Sequence, residues 1–225
     1  MATMLMQQQY KIHIRLVGLL YLLAMVAGIF SIAPSVDAED YLTQATANGN
    51  EVIIAAVFQF IMSLIYIGVA ILLYPVIRQF AYSLALGFLT FRIIAVKLSI
   101  IGTVLLLSIL VLSHEFVQNS SGDASVIAAI GGVLKTTRDY INHVFMVWTL
   151  CAGNILLFVL LFKSQLVPRW LSVWGLVGAV LSVIAAALVL FGVFDIITAE
   201  YLALNVPTAL QEIVFGLWLL IKGFD

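Results

Sequence analysis

The stretch Phe88–Leu107, FLTFRIIAVKLSIIGTVLLL, decides the fold. A helix crossing about 30 Å of hydrocarbon at about 1.5 Å per residue needs about 20 mostly apolar residues, and this run has that length. It carries only Arg92 and Lys97, with no carboxylate within four positions of either. The rest of the chain is much the same: 64% of its 225 residues are hydrophobic and 9% are charged, with a mean hydropathy of +1.19. That is too apolar for a soluble domain and too evenly apolar for a globule with one anchor. Runs of spanning length lie at about 14–34, 51–77, 83–113, 140–162, 171–193 and 206–222. They leave an N-terminal tail of about a dozen residues, two polar loops at about 35–50 and 114–139, and connectors too short for a soluble domain.

The runs are continuous and long, without the period-2 alternation of barrel strands, so the sequence predicts helices throughout. Lys11 and Arg15 precede the first run as they would a signal peptide. Its apolar stretch is too long for that, and no small-x-small cleavage site follows. The expected fold is an all-α, polytopic membrane bundle of six helices, one transmembrane domain over residues 1–225.

Orientation follows from the cations. With the N-terminus inside, the inner segments hold Lys11, Arg15, Arg78, Lys163, Arg169 and Lys222, and the outer loops hold only Lys135 and Arg138. Both termini are therefore expected in the cytoplasm. A net charge of −1 without any basic run gives no footprint for nucleic acid. The single Cys151 excludes an intramolecular disulfide. Pro168 and Pro207 are expected near the starts of the fifth and sixth helices, and Trp170, Trp174 and Trp218 near the inner interface.

Depth organises the polar residues within the spans. Counted from the inner start of the third run, Arg92 lies roughly 14 Å in, near the midplane, and Lys97 about 7 Å farther out. The sixth run descends from outside and brings Glu212, with Gln211 beside it, roughly 9 Å below the outer surface. Asn142 and His143 fall within about one turn of the outer surface, and Gln59 lies in the outer half of the second run. A charge facing lipid at the bilayer centre costs at least about 2.5 to 3.5 kcal/mol. The set Gln59, Arg92, Lys97, Asn142, His143, Gln211 and Glu212 is therefore expected to line an outward-opening polar pocket. Glu212 would serve as counter-charge to the two cations. These lie about 140° apart around their helix, so both face the interior only if that helix is central in the bundle.

No phosphate loop, nucleotide fingerprint, serine elbow or HExxH sequence occurs. His13, His114 and His143 do not supply a facing pair for haem, and the motif search names no reaction, leaving any cofactor unknown. Asp139 and His143 share a helical face, and with His114 and Glu115 at the other end of the same loop they offer a weak metal-ligand pattern, on which no metal site is assigned. Three readings follow: a binding or transport protein for a small polar or anionic ligand or protons, an intramembrane enzyme using Glu212 and His143 for acid–base work on a lipid-like substrate, or a structural subunit. Membrane lipids, a small-molecule ligand and a second copy of the chain are the partners these readings admit.

The segments RLVGLLYLLAMVAGIF (15–30), FR (91–92), LVPRWLSVWGLVG (166–178) and VPTALQEIVFGLWLLIKG (206–223), with His143 early in the fourth run, resemble the bacterial membrane proteins grouped as domain of unknown function 4386. The resemblance spans nearly the whole chain. It implies a six-helix protein of the bacterial inner membrane in which Arg92, His143, Pro207 and Glu212 match recurring polar and turn positions. Lys97 is not part of that pattern, and the family brings no activity with it.

Overall fold

The computed structural model describes residues 2–118 and 124–224. The described residues are almost wholly helical: α1 (Ala2–Phe30), α2 (Pro34–Asp37), α3 (Tyr41–Ala47), α4 (Gly49–Ile77), α5 (Tyr82–Gln118), α6 (Ala124–Tyr140), a π-helical turn (Ile141–Phe145), α7 (Met146–Ser164), α8 (Arg169–Leu190) and α9 (Ala199–Ile221). Six helices are long and apolar enough to cross a membrane, the fourth being the continuous rod 124–164 formed by α6, the π turn and α7.

The spanning helices close into a ring in the order α1, α4, α5, α7, α8, α9 and back to α1. The seam between α9 and α1 closes because Gly18 meets Gly216: a Cβ on Gly18 would stand 2.5 Å from the Gly216 carbonyl oxygen and 2.5 Å from the Leu220 nitrogen. Small residues let two backbones approach where lipid supplies no hydrophobic drive for association. No helix among the described residues stands at the centre. The expected central third helix is corrected accordingly: α5 is one stave of the ring, packed between α4 and α7. Its buried face carries Phe88, Arg92, Ala95, Ser99 and Leu106, and Lys97 lies on the opposite, exposed face.

Both chain ends gather at one end of the ring. Tyr10 and Phe224 join a single apolar cluster there, built on Ile14, Leu73, Ile77, Leu161 and Leu219. The other end carries a cap not anticipated from sequence. At about 1.5 Å per residue the 37-residue α5 is about 55 Å long, well beyond the hydrocarbon thickness. Its far end packs against α3 and α6. The segment 114–139, expected as a polar loop, is thus largely helical; residues 119–123 lie outside the described residues. Gly131, Leu134 and Arg138, at helical spacing on α6, explain the difference. They turn inward, with Gly131 against Tyr41, Leu42 and Leu112 and Leu134 on the cluster of Val36, Val52, Leu106 and Ile109. Arg138 pins the cap by bonding Asp37 at 2.8 Å and Asp139 at 3.2 Å.

The sixth spanning helix also begins earlier than expected. Thr198 caps it by accepting from the Tyr201 N–H at 3.3 Å, so Pro207 lies inside α9 and not at its start. Pro168, by contrast, is the residue immediately before α8.

Candidate functional site

Two hydrogen-bonded layers cross the ring interior. In the layer nearer the chain termini, Arg92 of α5 is 1% exposed and Glu212 of α9 is 6% exposed. They form no direct ion pair within 4 Å. Tyr66 of α4 joins them, its hydroxyl donating to Glu212 Oε2 at 2.9 Å while its ring lies 4.9 Å from the Arg92 guanidinium carbon. Arg92 Nη2 donates to Asn154 Oδ1 of α7 at 2.8 Å, and Asn154 also neighbours the Glu212 carboxylate. Phe88 places a second ring 5.3 Å from the guanidinium. Arg92 Nε and Nη1 have no hydrogen-bond acceptor. The rings supply part of what is missing, since a cation over an aromatic face is attracted by its quadrupole.

The second layer lies about two turns nearer the cap. Gln59 Nε2 donates to the Ser99 carbonyl at 3.1 Å and to Asn142 Oδ1 at 3.2 Å. Ser63 Oγ lies 2.9 Å from the Gln59 carbonyl and 2.9 Å from Ser99 Oγ. Asn142 reaches this position because the π turn carries it and because residue 102 is glycine, leaving room for the Asn142 side chain against α5. An extra residue in a helical turn re-aims side chains in this way.

Between the layers is a cavity of about 140 Å³. Its surface is mainly apolar, given by Met62, Ala95, Val96, Met146 and Leu150. Ser63, Tyr66, Arg92 and Ser99 also stand in its wall, but their polar atoms are largely turned to partners: Ser63 donates to Ser99, Tyr66 to Glu212 and Arg92 to Asn154. The expected polar pocket is corrected on this point. In a low-dielectric interior polar groups gain more from bonding each other than from facing a void, and the void is left to apolar side chains. On the terminal side of the Arg92 layer, Phe88, Phe158 and Phe215 belong to the large apolar cluster, with Phe158 and Phe215 edge to face at 5.5 Å.

The residues expected from sequence divide accordingly. Arg92 and Glu212 meet through Tyr66 in one layer, and Gln59 and Asn142 bond directly in the other. Gln211 is buried beside Glu212 with its Nε2 unpartnered. His143 does not join Glu212: its Nδ1 lies 3.1 Å from the Tyr201 hydroxyl, on the α9 side of the cap. Lys97 is exposed on the outer face of the ring, where its stem can carry the ammonium toward the headgroups. It is not part of the site. Asp139 is taken up by Arg138 and Lys135, and no group of three His, Cys, Asp or Glu side chains converges among the described residues. Tyr66, Asn154, Ser63 and Ser99 are the site residues not singled out from sequence.

Six apolar spanning helices around a buried polar core define a multi-pass membrane protein. The chain belongs to the family described as Domain of unknown function (DUF4386), which it matches over residues 16–223. No curated protein and no solved structure matches it.

Proposed function

We propose that this protein is a ligand-binding module of the membrane and that the cavity within the helix ring is its site. One observation carries the reading: a partly open cavity of about 140 Å³ sits between two hydrogen-bonded layers beside a buried cation with unmet donors. An engineered apolar cavity of about 150 Å³ stays dry and binds benzene, so the volume suits a molecule of that size. The apolar cluster that holds Phe88, Phe158 and Phe215 on the terminal side of the Arg92 layer favours a resident binding site over an open conduit. In this reading the chain lies in a bacterial inner membrane with both termini in the cytoplasm, as the Lys and Arg distribution supports, and the cap faces outward.

Benzene is the probe. In detergent solution it is expected to raise the thermal midpoint of the wild-type protein and not of Ala95→Leu, in which the added methyl groups occupy the cavity. Partition of benzene into micelles is the same for both proteins, so only their difference reports the site. Equal shifts for the two proteins, or no shift in either, would remove the cavity as a binding site.

A further inference from the structure

We infer that the cavity is entered from the bilayer, through a wedge between α1 and α9, and that its occupant is the hydrocarbon chain of a membrane lipid. The inference rests on the proposed binding role and names the ligand class and the route for it.

The wedge follows from how two helices part. At the crossing of Gly18 with Gly216 their backbones are in contact. Beyond it, toward the cap, each helix keeps to its other neighbour. α1 stays on α4, with the Phe30 and Phe58 rings 5.0 Å apart and Gly28 beside Met62. α9 stays on α8, where Gly178 meets Thr208 and the Ser182 and Thr208 hydroxyls lie 2.8 Å apart. The facing stripes record the separation. On α1 the stripe Gly18, Leu22, Met25 and Ile29, at helical spacing, passes from buried through half-buried to 65% exposed at Ile29. On α9 the stripe Gly216, Ile213, Ala209, Val206 and Leu202 does the same, reaching 48% at Val206 and 54% at Leu202.

The cavity opens onto this wedge. Along the ring axis it is closed at both ends, by the Arg92 layer and by the Gln59–Asn142 layer, so its open side is lateral. Two of its wall residues stand at the back of the wedge: Met62 lies beside Gly28 of α1, and Tyr66 bonds Glu212 of α9. Both are half-buried although they face the ring interior. Arg92 and Ser99 mark the two layers on α5, about 15 and about 26 Å from its start at Tyr82, inside a hydrocarbon layer about 30 Å thick. What stands outside an opening at that depth is acyl chain.

The wall suits the same occupant. Met62, Ala95, Val96, Met146 and Leu150 present no nitrogen or oxygen from their side chains, and the two methionines adapt to an irregular apolar body. Water needs about two to four polar partners, whereas the polar atoms of this wall are bonded elsewhere and the unpaired nitrogens of Arg92 are covered. A hydrocarbon end regains the dispersion contacts that an unfilled cavity forfeits. About 140 Å³ takes about as many carbons as benzene has, the end of a chain and not the whole of it.

The test uses the full chain in phosphatidylcholine vesicles doped with a phosphatidylcholine that carries a diazirine at the end of one acyl chain. Irradiation attaches the chain end to whatever it touches, and peptide mapping locates the adduct. Ile93 and Ile94, exposed on α5 at the same depth, report ordinary contact with bulk lipid. Wild type is expected to be labelled at the cavity wall as well, at Met62, Val96, Met146 or Leu150. Ala95→Leu, which fills the cavity, is expected to lose the wall labelling and keep that at Ile93 and Ile94. Ala209→Phe, which fills the wedge and not the cavity, is expected to lose the wall labelling too, while keeping the benzene-induced rise in thermal midpoint that shows it folded with its cavity intact. Wall labelling that persists in Ala209→Phe would overturn the route. Wild type without wall labelling, but with its benzene shift, would overturn the lipid chain as occupant and leave the cavity as a site. If wild type and Ala95→Leu do not differ in the benzene shift either, the binding role falls and this inference with it.

Discussion

Asn142 occupies the space that a side chain at Gly102 would need, and a Cβ built on Gly102 collides with its amide. In an exposed helix Gly→Ala stabilises by about 0.5 to 1 kcal/mol. Here the sign should reverse, because overpacking an ordered interior costs about 1 to 3 kcal/mol and displacing Asn142 also breaks its bond from Gln59. In the background of Asn142→Ala, Gly102→Ala is expected to become neutral or stabilising. A double-mutant cycle of thermal unfolding in detergent measures this coupling. Additive effects would mean that Asn142 does not depend on the glycine.

Hydropathy alone made the six spanning helices legible, because a bilayer demands length and apolarity before anything else. The cap was not legible by the same measure. The segment 114–139 reads as polar, yet Gly131, Leu134 and Arg138 fold it onto partners distant in sequence. Within the site, charge marked Arg92 and Glu212, whereas Tyr66 is one aromatic among many. A signal was present nonetheless: Gln59, Ser63 and Tyr66 recur at helical spacing, as do Arg92 and Ser99, and each set lies on one face. The same spacing rule placed Lys97 about 140° away from Arg92. Sequence could not say which of the two faced inward, since that depends on how the ring closes.

Tyr66→Phe keeps the ring beneath Arg92 and removes the donor to Glu212. A buried carboxylate deprived of such a hydrogen bond costs about 1.5 to 3 kcal/mol, and thermal unfolding of the variant is expected to show a loss of that order. Tyr66→Leu should lose more, since the cation–π contact goes as well. An unchanged midpoint for Tyr66→Phe would mean that the hydroxyl bond contributes nothing.

The two cations of α5 are expected to behave oppositely. Arg92→Leu leaves Glu212 without its buried counter-charge, and because the two are joined through Tyr66 and not directly, the loss is expected to fall below the about 3 to 5 kcal/mol of a directly bonded buried pair. The double variant Arg92→Leu, Glu212→Leu should recover more than half of that loss, since no lone charge is then left in the interior. Lys97→Gln, on the exposed face, should unfold like wild type. A Lys97 variant as damaging as the Arg92 variant would contradict the assignment of faces around α5.

Orientation is tested at the cap. Thr137 is exposed on α6, whereas the native Cys151 is buried, so Thr137→Cys supplies an accessible thiol at the cap end. An impermeant maleimide added to whole cells is expected to label it. Labelling only after the inner face is opened would reverse the topology and point the cap toward the cytoplasm.

The seam of the ring gives the last prediction. At Gly18 the atoms that a Cβ would meet are the Gly216 carbonyl oxygen and the Leu220 nitrogen, both backbone and both at 2.5 Å. No rotamer change relieves such a clash, so Gly18→Ala must push α1 away from α9 along the crossing. That separation forfeits the close van der Waals packing on which helix association in lipid depends. It also slackens the Tyr21–Phe215 contact, now 5.3 Å between ring centres, that leads into the site. Gly28 on the same helix is the control: its Cβ would meet only Met62 Sδ, at an ordinary 3.5 Å. Gly18→Ala is expected to destabilise by about 1 to 3 kcal/mol, as overpacking does, and to weaken benzene binding, while Gly28→Ala leaves both unchanged. Equal stability for the two variants would mean that α1 and α9 are not in backbone contact and that the ring is open at this seam.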